Sequence, residues 1–125
     1  MDMKAGSATP AAQLADAYAR AIEARDAGLL ASLYHEDCEY VLINRNAPPS
    51  RPVILRGRPA VAAMWQEDCG RDMAHRVEAI VADADRIAWH LSCLYPDGTR
   101  VAAMGSAEVA GGLIRRETTI ECWDE

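Results

Sequence analysis

Between Leu113 and Trp123 the chain places Arg115, Glu117, Thr119, Glu121 and Trp123 at every second position. Alternate side chains of an extended strand share one face, so these five would stand together. Two carboxylates, a guanidinium and an indole on one surface could fix a polar group and move a proton. The intervening Ile114, Arg116, Thr118, Ile120 and Cys122 form the opposite face, and apolar count alone would turn that second set inward. A Glu117 held instead among Trp89, Leu91, Cys93, Tyr95, Ala103 and Gly105 would lose its hydration, which raises an acid's pKa toward neutrality. Such a group suits general acid or base work. The alternative is a solvated pair with Arg115 or Arg116, contributing about 0–1 kcal/mol and no chemistry.

His75 is a second candidate, because an imidazole at the opening of a strand could titrate near neutral pH at a pocket mouth. A surface or strand-end role is the competing reading. His90 alternates with Trp89 and Leu91 and so faces away from them, while His35 reads as a helix-end residue favoured by the dipole. Tyr18, Tyr40 and Asn44 could offer polar ends to a ligand in a mostly apolar pocket. For the two tyrosines, burial with a satisfied hydroxyl is the alternative. Met64 and Trp65 read as helix packing.

The elements that must position these groups follow from local signals. Thr9-Pro10 is a helix start, with a capping hydroxyl and a proline that needs no hydrogen bond in the first turn. Leu14, Ala15, Tyr18, Ala21 and Ile22 then recur at helical spacing. Asp26 can cap a short second helix carrying Leu29, Leu30, Leu33 and Tyr34. Cys38 to Asn44 has strand composition, and the loop from Arg45 to Pro52 holds Pro48, Pro49 and Pro52, which cannot join a sheet interior. Val53 to Leu55 reads as a brief strand before Gly57, and Pro59 opens a third helix that stops near Cys69-Gly70. Four strands follow at Arg76–Ala82, Arg86–Tyr95, Thr99–Val109 and Leu113–Trp123, separated by Asp83-Ala84-Asp85, Pro96-Asp97-Gly98 and Gly111-Gly112. Helices mostly first and strands last predict segregated α+β layers.

The totals narrow the function. The 125 residues suit one domain, expected over 9–125 behind a loose leader at 1–8. Thirteen basic against 19 acidic residues give a net charge of −6 without a basic stripe, which argues against a nucleic-acid partner. No apolar run is long enough to span a bilayer, and the first residues do not resemble a secretory signal, so a cytoplasmic location with no membrane partner is expected. Cys38, Cys69, Cys93 and Cys122 lack the paired spacing of a zinc site and read as reduced packing residues. The sequence has no Gly-rich phosphate loop, no Gly-x-Ser-x-Gly elbow and no His-Glu-x-x-His, so neither a metal nor another cofactor is expected.

The order of elements resembles the nuclear transport factor 2-like superfamily, especially its SnoaL-like branch. The resemblance rests on Tyr18-Ala-Arg-Ala-Ile-Glu-Ala-Arg-Asp26, Leu33-Tyr-His-Glu-Asp-Cys-Glu-Tyr40, Leu55-Arg-Gly-Arg-Pro-Ala-Val61, and the Gly-Gly-Leu-Ile hairpin entering a strand that ends Trp123-Asp124. It implies a cone-shaped barrel: three helices packed on a strongly curved, mainly antiparallel sheet, with a tendency to homodimerise through that sheet. It also implies that the face bearing Glu117 points into the cone. Ketosteroid isomerases of this superfamily use an Asp base and an oxyanion hole of Tyr and protonated Asp. By the resemblance Tyr18 takes the tyrosine position, but Leu42 stands where the Asp base would, and the neighbourhood of Gly105 lacks the second acid. Limonene epoxide hydrolases need Asp-Arg-Asp, and the last-strand Asp position is Thr119 here. What remains is Glu117 and His75 as catalytic candidates, with Tyr18, Tyr40, Asn44, Trp89, Arg115, Thr119 and Glu121 around a small apolar ligand. The expected function is cofactor-independent acid–base chemistry of an isomerase, cyclase, dehydratase or hydrolase type. A non-catalytic ligand-binding or dimeric interaction module is the alternative.

Overall fold

Thr9 caps the first helix, its Oγ1 accepting from the Ala12 amide at 3.1 Å, and Pro10 opens it, as the sequence predicts. The computed structural model describes residues 9–124, so the expected leader and Glu125 lie outside the described residues. Helix α1 (Pro10–Ala24) buries Leu14, Ala15, Tyr18, Ala21 and Ile22 on one face. It ends where Arg25 adopts the left-handed conformation and turns the chain. Asp26 caps α2 (Ala27–Ser32) by accepting from the Leu29 amide at 3.0 Å.

Strand β1 (Tyr34–Ile43) starts four residues earlier than its composition suggests. Leu33 only caps α2, and Tyr34 belongs to the sheet, where it pairs with Ile114. The helical spacing of Leu29, Leu30, Leu33 and Tyr34 is therefore overridden by a long-range pairing, which outweighs weak local propensity. His35 accordingly sits in β1 and not at a helix end, with its Nδ1 accepting from the Asp37 amide at 3.2 Å.

After the proline loop come β2 (Val53–Arg56), α3 (Arg58–Cys69), β3 (Ala74–Ala82), β4 (Arg86–Leu94), β5 (Arg100–Ala110) and β6 (Leu113–Trp123). They form one six-stranded sheet in the order β2-β1-β6-β5-β4-β3. All neighbours are antiparallel except β1 and β6, which run parallel. The helices cover one face, with α1 against β3 and β4, and α3 against α2 and β1. The result is the α+β cone expected, and its core joins Tyr18, Ile22 and Trp65 of the helices to Ile87, Trp89 and Ile114 of the sheet.

The direction of β6 depends on one irregularity. Glu108 pairs with Arg116 and Val109 with Ile114, which leaves Arg115 as an extra residue. A bulge of this kind re-aims the side chains beyond it. Ile114 is buried and Arg115 and Arg116 are both exposed. Alternation then resumes with Glu117 and Thr119 buried, while Ile120 on the other side is 54% exposed.

Candidate functional site

Glu117 is completely buried, with no exposed surface. Tyr34 donates from its hydroxyl to Glu117 Oε1 at 2.5 Å, and Thr119 donates to Oε2 at 2.8 Å. Tyr18 belongs to the same hydrogen-bonded group, in contact with both Tyr34 and Glu117. The Trp65 indole N–H reaches the Tyr34 oxygen at 3.3 Å, and Tyr40 hydrogen-bonds Thr119. Burial pushes the Glu117 carboxyl from its ordinary 4.5 up to about 7, although the bonds from Tyr34, Thr119 and Tyr18 pull the other way. Burial first, and the neighbouring carboxylate second, raise the three tyrosines well above their ordinary value, so they remain hydroxyls.

Above this group opens a cavity of about 450 Å³, an adequate size for a small ligand. Tyr18, Tyr40 and Thr119 belong to its lining, whereas Glu117 and Tyr34 lie behind them. Trp89 packs against Tyr18 with ring centroids 4.7 Å apart and crosses the sheet over Gly105. A Cβ at Gly105 would sit 2.7 Å from the Trp89 ring and 2.8 Å from the Thr118 carbonyl, so only glycine admits this packing.

Toward the mouth, Asp68 at the end of α3 meets His75 near the start of β3, with Oδ2 and Nε2 3.5 Å apart. The His75 side chain is 4% exposed, and its Nδ1 lies 3.1 Å from the Cys93 sulfur. Burial lowers the His75 pKa, partly opposed by Asp68; burial raises that of Asp68, partly opposed by His75 and Arg71. Burial also pushes the Cys93 thiol up to about 11, helped by Asp68 and Glu121. Cys93 therefore stays S–H and can donate to Nδ1, which leaves the neutral imidazole's proton on Nε2 beside Asp68. Also in the lining, Asn44 donates from Nδ2 to Glu121 Oε1 at 3.2 Å, and burial raises the Glu121 pKa.

Most candidates from the sequence converge here. His75, Tyr18, Tyr40, Asn44, Trp89, Thr119 and Glu121 all line the cavity. Glu117 faces into the cone but stands one shell deeper than a direct contact requires. Arg115 is corrected: the bulge turns it to the outer surface beside Arg116 and Glu39, away from the cavity. Two participants escape sequence reasoning. Tyr34 carried a helical signature, and Asp68, near the end of α3, has no local feature that marks it out. The seven-residue spacing from Asp68 to His75 across the Gly70 turn is a signal that a strand-plus-helix-end pairing could have drawn on. Among the described residues no group of three or more His, Cys, Asp or Glu side chains is arranged to hold a metal ion.

An α+β cone of helices over a curved sheet, with a pocket opening between them, defines the nuclear transport factor 2-like class of folds. The SnoaL-like domain family matches residues 15–117, and the chain belongs to it. It is similar to a candidate ketosteroid isomerase from Kribbella flavida DSM 17836, at 26% identity and a TM-score of 0.75, over 93% of this chain and 78% of that one. A nuclear transport factor 2-like protein of unknown function from Mesorhizobium loti aligns at 19% identity and a TM-score of 0.77, covering 98% and 96%. The Δ5-3-ketosteroid isomerase of a Mycobacterium species aligns at 19% identity and a TM-score of 0.67, covering 93% and 99%. These last two likenesses speak to the fold. No curated protein matches.

Proposed function

We propose that this SnoaL-like domain binds a small, largely apolar molecule and moves a proton on it without a cofactor, in an isomerisation, cyclisation, dehydration or hydrolysis. The observation carrying this reading is a single cavity with a neutral imidazole on one wall and a buried, near-neutral carboxyl behind its floor. His75 is the base, its Nδ1 taking a proton in place of the weak hydrogen bond from the Cys93 thiol, while Asp68 beside Nε2 stabilises the imidazolium that forms. Tyr18 faces the ligand and hydrogen-bonds an oxygen on which charge develops. When Glu117 carries its proton it can donate toward Tyr18, whose own O–H is then free for the ligand. When ionised, Glu117 accepts from Tyr34 and Thr119 instead. The candidate isomerase at 26% identity supports this reaction class. The absence of an acid at Leu42 and at Thr119 weighs against the steroid and epoxide versions of it.

Deuterium exchange at the α-carbon of the bicyclic ketone tetralone, followed by proton NMR in D2O, tests the proposal. Exchange is expected to accelerate as pH rises through the lowered pKa of His75, and His75→Gln to slow it by ~10²-fold. Exchange at the same rate in wild type, His75→Gln and Glu117→Gln would remove the proposed chemistry. The alternative, a non-catalytic binding or interaction module, would be favoured by a filled cone and outward acids. An open cavity and an inward Glu117 support the catalytic reading over it.

The domain is further proposed to homodimerise through the convex sheet face. Met104 and Ile120 pair directly across β5 and β6 there, 62% and 54% exposed, and an apolar patch of this kind favours a covering surface. A monomer in sedimentation at micromolar concentration would contradict this. Four unpaired cysteines fit the proposed cytoplasmic setting. Among the described residues no helix is long and apolar enough to cross a membrane.

A further inference from the structure

The charged residues of the cavity lining are unbalanced. Glu67, Asp68 and Glu121 contribute three carboxylates against the single guanidinium of Arg71. Arg71 stands at the rim with its side chain 48% exposed, 3.6 Å from Glu67 and 3.8 Å from Asp68. Glu121 is hydrogen-bonded by the neutral amide of Asn44. His75 is held toward its neutral form by burial, so it supplies no standing positive charge. The inner cavity thus keeps two desolvated carboxylates that share one half-exposed rim guanidinium, Arg71, so the acids outnumber the cations around it. Burial raises the pKa of both and Asp68 adds to the rise at Glu121, while Arg71 opposes the rise at each.

Aromatic rings share the rest of the lining with apolar side chains such as Ile22, Leu42, Met64 and Leu91. All three tryptophans of the chain, Trp65, Trp89 and Trp123, border the cavity, together with Tyr18, Tyr40 and Tyr95. Aromatic faces attract cations through the ring quadrupole, most strongly for Trp and where water is excluded. The Trp123 ring already takes one, the Arg45 guanidinium carbon lying 5.5 Å from its centroid. Two further groups await a partner: Trp89 Nε1 and His75 Nε2 are buried without a hydrogen bond, on side chains 3% and 4% exposed. A buried donor left without a partner is destabilising, and a ligand oxygen would relieve it.

We propose that the cavity selects small amines: molecules with a largely apolar body, one ammonium group set between Asp68 and Glu121, and room for an oxygen at the Trp89 N–H. An ammonium there offsets the carboxylate desolvation and meets aromatic faces, whereas a ligand carboxylate adds a third negative charge to the same space. This rests on the small-molecule-binding reading above and names its ligand class.

The three cavity tryptophans provide the readout. Fluorescence titration with phenethylamine, phenethyl alcohol and phenylacetate compares one body with three head groups. Phenethylamine is expected to bind at least ~10-fold tighter than the alcohol, and phenylacetate more weakly than the alcohol. Glu121→Gln and Asp68→Asn, isosteric and checked for an unchanged circular dichroism spectrum, should each reduce the amine's advantage to about 3-fold or less. Equal binding of amine and alcohol, or tightest binding of phenylacetate, overturns the amine assignment and leaves the proton-transfer reading standing. An amine preference unchanged in both variants overturns it too, because the ammonium would then sit elsewhere. Failure of all three probes to bind overturns the amine assignment and the cavity's binding role together.

Discussion

Glu117 and Glu121 are the same residue on the same strand, facing the same way, yet the cone treats them differently. At the floor, Glu117 has no contact with water and is surrounded by Tyr34, Tyr18 and Thr119. At the mouth, Glu121 borders the cavity and shares its space with Asn44, Asp68 and the rim guanidinium of Arg71. Burial raises both pKa values, but only the floor carboxyl reaches about 7. Depth in the cone thus separates a proton store from a charge. The same strand face can hold a group that is roughly half protonated at neutral pH and, two turns of the pleat away, one positioned to attract a cation.

The largest effect expected from this contrast is on stability. A buried acid whose pKa rises on folding binds more protons in the folded than in the unfolded state, so stability falls as pH rises between the two values. For Glu117 that window runs from 4.5 to about 7, and the loss across it is about 3 kcal/mol. Urea titrations at a series of pH values should show this decline in wild type and a clearly shallower one in Glu117→Gln, where Asp68 and Glu121 still contribute; parallel curves would mean the floor is wet. Next comes Gly105→Ala, whose added methyl meets Trp89 and the Thr118 carbonyl. It should cost about 2 kcal/mol and blue-shift or quench the tryptophan emission, since the indole must move. Tyr34→Phe should cost about 1–2 kcal/mol, by depriving Glu117 and the Trp65 N–H of a partner. It should also drive the Glu117 pKa higher, because Tyr34 now favours the ionised form. The smallest change is expected at the mouth, where Glu121→Gln should alter stability by less than about 1 kcal/mol, measured by thermal melting. A larger loss there would erase the distinction between floor and mouth.

Much of this arrangement was legible in the residues themselves. Thr9-Pro10, Asp26 and the Gly-containing turns mark element ends because capping and turn chemistry are local. The helical spacing of Leu14, Tyr18 and Ile22 likewise identifies the buried face of α1. The face of β6 was not decidable from composition: Ile114 argues for one orientation and Glu117 for the other. Both residues are in fact inside, because the bulge at Arg115 reverses the alternation between them. That bulge carries no sequence signature, and it also explains why Arg115 leaves the site. Tyr34 and Asp68 were hidden for a related reason. Their roles come from pairings with Ile114 and His75, and a helical pattern near Leu33 or an acid at a helix end says nothing about such partners.

The central claim is that the floor carboxyl of Glu117 keeps its proton to near-neutral pH. Carbon-detected NMR of the glutamate side-chain carboxyls, with Glu117→Gln to assign the resonance, measures it directly. A titration midpoint near 7 is the expected result, well separated from the exposed glutamates. A midpoint at the ordinary 4.5 would show a hydrated carboxylate, and with it the proton relay through Tyr18 would be lost.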